Sequence, residues 1–393
     1  MKNIDYYFKL YNSLNEDNTH KISSDDICTP MECVKLMLDY LPDNFWNNDI
    51  KVLDPCCGNG NFGAYCMFKT NLNNIWFNDI NNNRIQNCKQ ILNPSNITKK
   101  NYLKFNENNW DLIMGNPPYS GGGNKNQSLS NQFIEHSIEL LKDGGYLCFI
   151  TPNNWMTYNN NNTTLKSLLN NGSFLVINND AHKYFPSVGS SFTIFLWQKG
   201  IFDNKTLIIN NYVLKDTIEN VMIPNDMPFI PLYLSKESIS LTKKLIGQDE
   251  NKLFRYRCDL HNFTQEKYLS DTQDNTYKYE TIHTARQTRY ACKKQDIYNK
   301  WLIIIPLSTY YIPYIKHNVN VTQSVGYIAK SKQEIAENTL KIITKDEFKV
   351  LIHLTRYGNF NNIMVLKHMK FRKIKLNRKE KELVNEIISK IKY

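Results

Sequence analysis

The chain has 393 residues, 41% hydrophobic and 22% charged, which is enough apolar side chain for two domains with separate cores. No apolar run is long enough to span a bilayer, and the first residues carry no secretory signal, so membrane and secreted classes are set aside. Charge is divided unevenly: residues 1–200 carry 16 Lys+Arg against 17 Asp+Glu, and the rest carry 32 against 20, so net −1 is followed by net +12, totalling +11. A basic half following a neutral one suits contact with a polyanion, although a solvated basic surface gives the same count. The nine cysteines contain no C-x-x-C pair, which leaves no zinc cage or disulfide framework and points to free thiols in a reducing compartment.

In chain order, residues 1–28 read as a polar lead-in. Thr29-Pro30 then opens a helix over Met31 to Leu41, with Thr29 expected as its N-cap. From residue 50 to 198, short apolar runs alternate with helical stretches. Strands are expected at 50–53, 74–78, 110–114 and 146–151, with helices at 62–68, 82–91 and 133–141. That alternation implies βαβ units and a mostly parallel sheet. A boundary is expected at 215/216, after which the pattern is less regular. The segment 364–393, with Lys370, Arg372, Lys373 and Lys375, reads as a basic helix.

Two constellations carry chemistry. Val52-Leu53-Asp54-Pro55-Cys56-Cys57-Gly58-Asn59-Gly60 ends a strand in an acid and turns through glycines into a helix, and Asp79 ends the next strand. Glycines let a backbone approach a ligand closely, and an acid at the second strand end can bond ribose hydroxyls. Alone, this loop is also compatible with an ordinary strand–helix turn. The second constellation is Asn116-Pro117-Pro118-Tyr119, directly after a strand. Two prolines stiffen the loop and remove two donors. Asn116 Oδ1 and the Pro117 carbonyl become two acceptors on a rigid frame, suited to an amine with two N–H groups, and Tyr119 offers a face to a planar ring.

The glycine loop and Asn116–Tyr119 resemble motifs I and IV of amino-methyltransferases of DNA. Their order, with Thr29-Pro30 first, resembles the gamma class of N6-adenine DNA methyltransferases, the TaqI-like enzymes of type II restriction–modification systems. The resemblance implies an α/β fold: a Rossmann-like class I methyltransferase sheet with helices on both faces (29–215), then a mixed α+β DNA target-recognition domain (216–393). It implies S-adenosylmethionine as cofactor, held by Thr29, Pro30, Asp54, Pro55, Cys57, Gly58, Gly60, Asp79, Ile80, Asn101, Tyr102, Asn116 and Phe133. Where the family usually has an acid for the cofactor's adenine amine, this chain has Asn101-Tyr102. Asn116, Pro117 and Tyr119 would be catalytic, and Tyr119 and Phe185 would stack on an adenine flipped from double-stranded DNA. No metal is implied.

The stretch His283, Arg286, Gln287, Arg289, Tyr290, Lys293 and Lys294 is expected to meet DNA, since Arg and Gln pair with guanine and adenine edges. A separate cognate restriction endonuclease is compatible with this reading and is not legible in the chain. Other acceptors fit the same motif: an N4-cytosine amine, an adenine of RNA, or a protein glutamine amide. A DNA-binding module with an inactive core is the non-enzymatic alternative.

Overall fold

Short, β-rich strands bounded by Asn, Gly and Pro alternate with helices through the first half of the chain, and they assemble one nine-stranded sheet. The computed structural model describes residues 3–16, 28–119, 128–159, 162–186, 191–203, 205–247, 253–256, 258–261, 266–308, 310–358 and 360–391. Two units are present: residues 1–157 with 161–227, and residues 158–160 with 228–393.

The first unit runs α1 (Ile4–Glu16), α2 (Met31–Leu38), β1 (Val52–Asp54), α3 (Asn61–Cys66), β2 (Ile75–Asn78), α4 (Asn82–Leu92), β3 (Ile97–Thr98), β4 (Trp110–Gly115), α5 (Leu129–Leu140), β5 (Leu141–Pro152), α6 (Thr163–Asn171), β6 (Gly172–Asn178), β7 (Phe192–Lys199), β8 (Thr206–Asn211) and β9 (Lys215–Val221). The strand order is β3-β2-β1-β4-β5-β7-β6-β8-β9. Strands β3, β2, β1, β4 and β5 are parallel, and β7 enters antiparallel between β5 and β6. This is the Rossmann-like class I methyltransferase sheet expected from the sequence. The chain steps outward from β1 to β3 and then returns to β4 on the other side of β1. Such a reversal opens a crevice at the strand C-termini.

Both faces of the sheet are covered, which is why β4 is buried throughout and reads as an apolar run apart from Asp111, which accepts from Lys51 N at 2.8 Å. Cys148 and Ile150 of β5 join a core with Tyr11, Met31, Met37, Ile85 and Cys88 from α1, α2 and α4. On the opposite face, Trp155 stacks on Phe174 at 5.4 Å, and Trp197 donates its indole N–H to Leu168 O of α6 at 2.9 Å.

Several sequence expectations are corrected here. The lead-in 1–28 is not outside the catalytic unit, because α1 buries Tyr7 and Tyr11 in its core and Tyr11 Oη donates to Asn59 O at 3.1 Å. A boundary at 215/216 would detach β9, which pairs with β8 as the sheet's last strand, and the division falls instead at 227/228. Pro30 rather than Thr29 occupies the N-cap position of α2. The Thr29 side chain is turned toward the site described below.

The second unit runs α7 (Lys236–Leu245), β10 (Phe254–Arg255), β11 (Leu269–Ser270), β12 (Tyr279–Ile282), β13 (Thr288–Ala291), β14 (Trp301–Pro306), β15 (Tyr314–His317), β16 (Asn320–Val321), β17 (Val325–Lys330), α8 (Gln333–Ile343), α9 (Asp346–Leu354), α10 (Ile363–His368) and α11 (Arg378–Lys390). Its two four-stranded sheets have the orders β10-β17-β14-β15 and β11-β13-β12-β16, so the unit is α+β. The apolar run 301–306 is the central strand β14, with Leu302 to Ile305 fully buried. The C-terminal segment is not one basic helix. Asn377 and Glu380 form a capping box that starts α11 at Arg378, leaving Lys370, Arg372, Lys373 and Lys375 in the connection from α10.

Gly63 records how closely α3 lies on the sheet. A Cβ there would stand 2.0 Å from Phe77 Cε1, and the Phe77 ring is itself buried. Gly63→Ala is therefore expected to destabilise the protein by about 1–3 kcal/mol through overpacking, read as an earlier midpoint in denaturant unfolding. An unchanged midpoint would contradict this packing.

Candidate active site

At the C-terminal ends of β1, β2 and β4 lies a cavity of about 480 Å³. The turn after β1 forms its floor. Gly60 adopts φ +99°, a left-handed conformation open to glycine, and a side chain there would press on Leu92, Cys88 and Tyr11. The neighbouring Gly58 N–H donates to Asp79 Oδ2 at 2.8 Å, and Asp79 Oδ1 accepts from Asn81 N at 2.8 Å. The acid at the end of β2 thus fixes the glycine turn and the start of α4 together.

A buried asparagine ties three strand ends. Asn78 Nδ2 donates to Pro55 O and to Lys100 O, each at 3.1 Å, and Oδ1 accepts from Thr98 Oγ1 at 2.9 Å and Lys100 N at 3.0 Å. Sequence reasoning passed over this residue, although a polar residue closing an apolar strand was a usable signal.

The Asn-Pro-Pro-Tyr loop forms the opposite wall. Asn116 Nδ2 donates to Thr29 Oγ1 at 3.1 Å, and Asn116 Oδ1 accepts from Tyr119 Oη at 2.7 Å. Cys56 Sγ donates to the Asn116 carbonyl at 3.3 Å, which joins this loop to the glycine turn. Among the described residues no donor reaches the Pro117 carbonyl. The Tyr119 ring lies 5.3 Å from Phe192.

Of the residues expected at the cofactor, Thr29, Pro55, Cys57, Gly58, Asp79, Ile80, Asn101, Tyr102, Asn116 and Phe133 line the cavity. Pro30, Asp54 and Gly60 do not. Asp54 is fully buried behind the wall, where a Gly115 Cβ would stand 3.4 Å from its Oδ1, and Oδ2 has no partner among the described residues. Burial pushes its carboxyl well above the ordinary range; the Cys56 N–H opposes this and Asp79 adds to it. Asn101 spends its Oδ1 on Leu103 N at 3.1 Å, starting the turn 102–104, so the expected bond to an adenine amine has a competitor. Tyr102 packs its ring 4.8 Å from Phe133 and bonds Ser137 Oγ at 2.8 Å. Burial raises the thiols of Cys56 and Cys57 well above their ordinary value, so neither is a thiolate nucleophile at neutral pH.

Phe185 is not brought to the cavity. It is 3% exposed and packs at 5.1 Å on Phe192, behind Tyr119, because the apolar β7 draws it into the core. Arg84, which sequence reading did not single out, does line the cavity.

In the second unit, β12 and β13 form a hairpin whose tip exposes Arg286 and Gln287, with Thr284 Oγ1 accepting from both of their backbone N–H groups. Lys294 is exposed between the rings of Tyr279 and Tyr298. The other expected DNA contacts are engaged within the unit or partly buried. Arg289 pairs with Asp271 at 2.7 Å, Lys293 with Asp259 at 2.8 Å, and His283 Nδ1 bonds Thr322 Oγ1 at 2.9 Å, while Tyr290 is half-buried in β13. No metal-binding cluster of His, Cys, Asp and Glu occurs among the described residues, and no helix there is long and apolar enough to cross a membrane.

Residues 17–185 match the family described as Eco57I restriction-modification methylase. The chain is 30% identical over 281 residues to Type II methyltransferase M.HincII of Haemophilus influenzae, covering 65% of this chain and 53% of that one. It is 30% identical over 216 residues to Type II methyltransferase M.HindII of Haemophilus influenzae strain Rd, covering 49% of this chain and 40% of that protein. The chain thus spans about half or less of the length of the curated relatives it matches. A solved structure of the ATP-dependent Type ISP restriction-modification enzyme LlaBIII bound to DNA aligns with 98% of this chain and 41% of its own, with a TM-score of 0.54 and 13% identity, a likeness of fold.

Asn78→Ala would leave Pro55 O, at the end of β1, and Lys100 O and N, after β3, without their side-chain partner. A loss of about 1–3 kcal/mol in unfolding free energy is expected, measured by chemical denaturation. A stability equal to the parent's would show that water replaces the amide without cost.

Proposed function

We propose that this chain, whose residues 17–185 are a restriction-modification methylase domain of the Eco57I kind, methylates the exocyclic N6 amine of adenine in double-stranded DNA, using S-adenosylmethionine. The observation that carries the reading is the pair of acceptors at the cavity wall, Asn116 Oδ1 and the Pro117 carbonyl. They stand on a loop held by Thr29 and Cys56.

The cavity's residues fit the cofactor. Ile80 is 65% exposed although apolar, and with Leu103 and Phe133 it offers a surface for a purine, while the Asp79 carboxylate lies beside it for hydroxyl groups. Bound there, the cofactor supplies an electrophilic methyl group.

The protein's own part is orientation and charge. The lone pair of an aromatic amine is delocalised into the ring. Accepting its two N–H groups favours the tetrahedral nitrogen that forms as the methyl is taken up. An entering amine takes Asn116 Oδ1 from the Tyr119 hydroxyl, while the Tyr119 ring remains as a stacking face. Such stacking is worth about 1–3 kcal/mol per base. A base inside a duplex cannot reach this wall and must be flipped out.

DNA as substrate is supported by the +12 charge of residues 201–393 and by the exposed hairpin tip. Arg286 and Gln287 are the proposed base readers and Lys294 a phosphate contact. Arg289 and Lys293 are paired with acids of the same unit.

Asn116→Ala is expected to lose methyl transfer to DNA by at least about 100-fold, the scale of removing one acceptor tuned to a transition state, while cofactor affinity by calorimetry stays close to the parent's. Near-normal turnover would end the assignment. Arg286→Ala with Gln287→Ala is expected to relax sequence preference at one or two base pairs, by about 1–3 kcal/mol each, read by sequencing modified adenines in host DNA. An unchanged modification pattern would place recognition elsewhere.

A further inference from the structure

Between the two left-handed glycines of the turn after β1, Gly58 at φ +55° and Gly60 at φ +99°, stands Asn59. It lines the cavity and is only 5% exposed. Neither glycine can carry a side chain. A Cβ at 58 would stand 3.0 Å from Arg84 Nη1, and one at 60 would stand 2.9 Å from Leu92 Cδ1. Of these three positions, residue 59 alone can bring a functional group to the turn.

That group is fixed from two sides. Asn59 O accepts from Tyr11 Oη of α1 at 3.1 Å, and Asn59 Oδ1 accepts from Asn87 Nδ2 of α4 at 3.1 Å. With its backbone and its amide oxygen both held, the side chain is ordered before a ligand arrives, so binding costs it little rotamer freedom. The amide nitrogen has no partner among the described residues. Nor is it one of the unpaired atoms shut away from solvent, as Asp54 Oδ2 is. Two unspent donors on a fixed, nine-tenths-buried amide suit an oxygen acceptor and cannot serve a cation.

The rest of the lining decides which acceptor. With the purine on Ile80, Leu103 and Phe133 and the hydroxyl groups at Asp79, the part of the ligand still to be placed is its amino-acid end. The ammonium of that end only donates, and its carboxylate only accepts. We propose that Asn59 Nδ2 donates to the carboxylate of the cofactor, with Tyr11 and Asn87 as positioning residues that aim the amide. This rests on the reading of the cavity as an S-adenosylmethionine site.

The test is calorimetry on the full chain without DNA, using S-adenosylmethionine and its decarboxylated analogue, which keeps the amine and lacks only the carboxylate. Asn59→Ala is expected to weaken S-adenosylmethionine about 10- to 100-fold, the range for a hydrogen bond to a charged group, and to leave the analogue within about twofold of the parent. Asn59→Asp keeps an oxygen for Asn87 Nδ2 and puts a second oxygen where the donors were. At about pH 8, above the ordinary carboxyl range, it is expected to weaken S-adenosylmethionine at least as far as Asn59→Ala does, again sparing the analogue. Retained binding of the analogue shows that the turn is intact in both variants. Equal weakening of both ligands would make Asn59 a brace of the turn and overturn the assignment, as would undiminished affinity of Asn59→Ala for S-adenosylmethionine. A parent protein that binds neither ligand would overturn the reading of the cavity itself, a result distinguishable from failure of Asn59 alone.

Discussion

The side-chain amide of Asn78 holds the ends of β1 and β3 to the end of β2, beside the cavity. An amide has two donors and two acceptor positions, and from the end of β2 all four are spent on the ends of β1 and β3. No apolar residue could do this, because the backbone groups it meets would be buried without partners. The glycine turn, Asp79 and the start of α4 hang from these ends. The Asn-Pro-Pro-Tyr loop is in turn joined to the glycine turn by the Cys56 thiol.

The parts of the fold legible in the sequence were those whose chemistry is local. A strand buried on both faces must read as a largely apolar run, and 110–114, Asp111 apart, and 301–306 did. Turns that need glycine or proline must contain them, and 58–60 and 116–119 did. The parts that escaped depend on partners distant in sequence. Thr29 looks like a helix cap, yet its hydroxyl serves Asn116, 87 residues away. Arg84 sits on a polar helix and nothing nearby signals that its head turns to Gly58. Phe185 had a plausible motif around it, but the apolar strand after it pulled the ring into the core.

Division between the units follows similar logic. The charge count foresaw a basic second part but not how much of that charge is internally balanced. Arg289, Lys293 and Lys244 each have an acidic partner, and Glu380, paired with Lys244, is buried. Burial works against that carboxylate, yet its bonds to Lys244, Ser240 and Asn377 N hold it below its ordinary range. Net charge is therefore a poor guide to which cations face outward, and exposure at the β12–β13 tip is the better one.

The hydroxyl of Tyr119 resting on Asn116 Oδ1 has a bearing on which molecules the wall admits. A donor tethered three residues away is present at a high effective concentration, far above that of any dissolved amine. Ammonia, buffer amines and lysine side chains bring only an N–H to that oxygen and must compete with the tether unaided. A heteroaromatic amine of the proposed kind would bring a ring able to lie on the tyrosine at the same time, so that one contact would offset the displacement of the other. Under the proposed function the resting bond would act as a filter, closed to amines without a flat ring and opened by the stacking of a base.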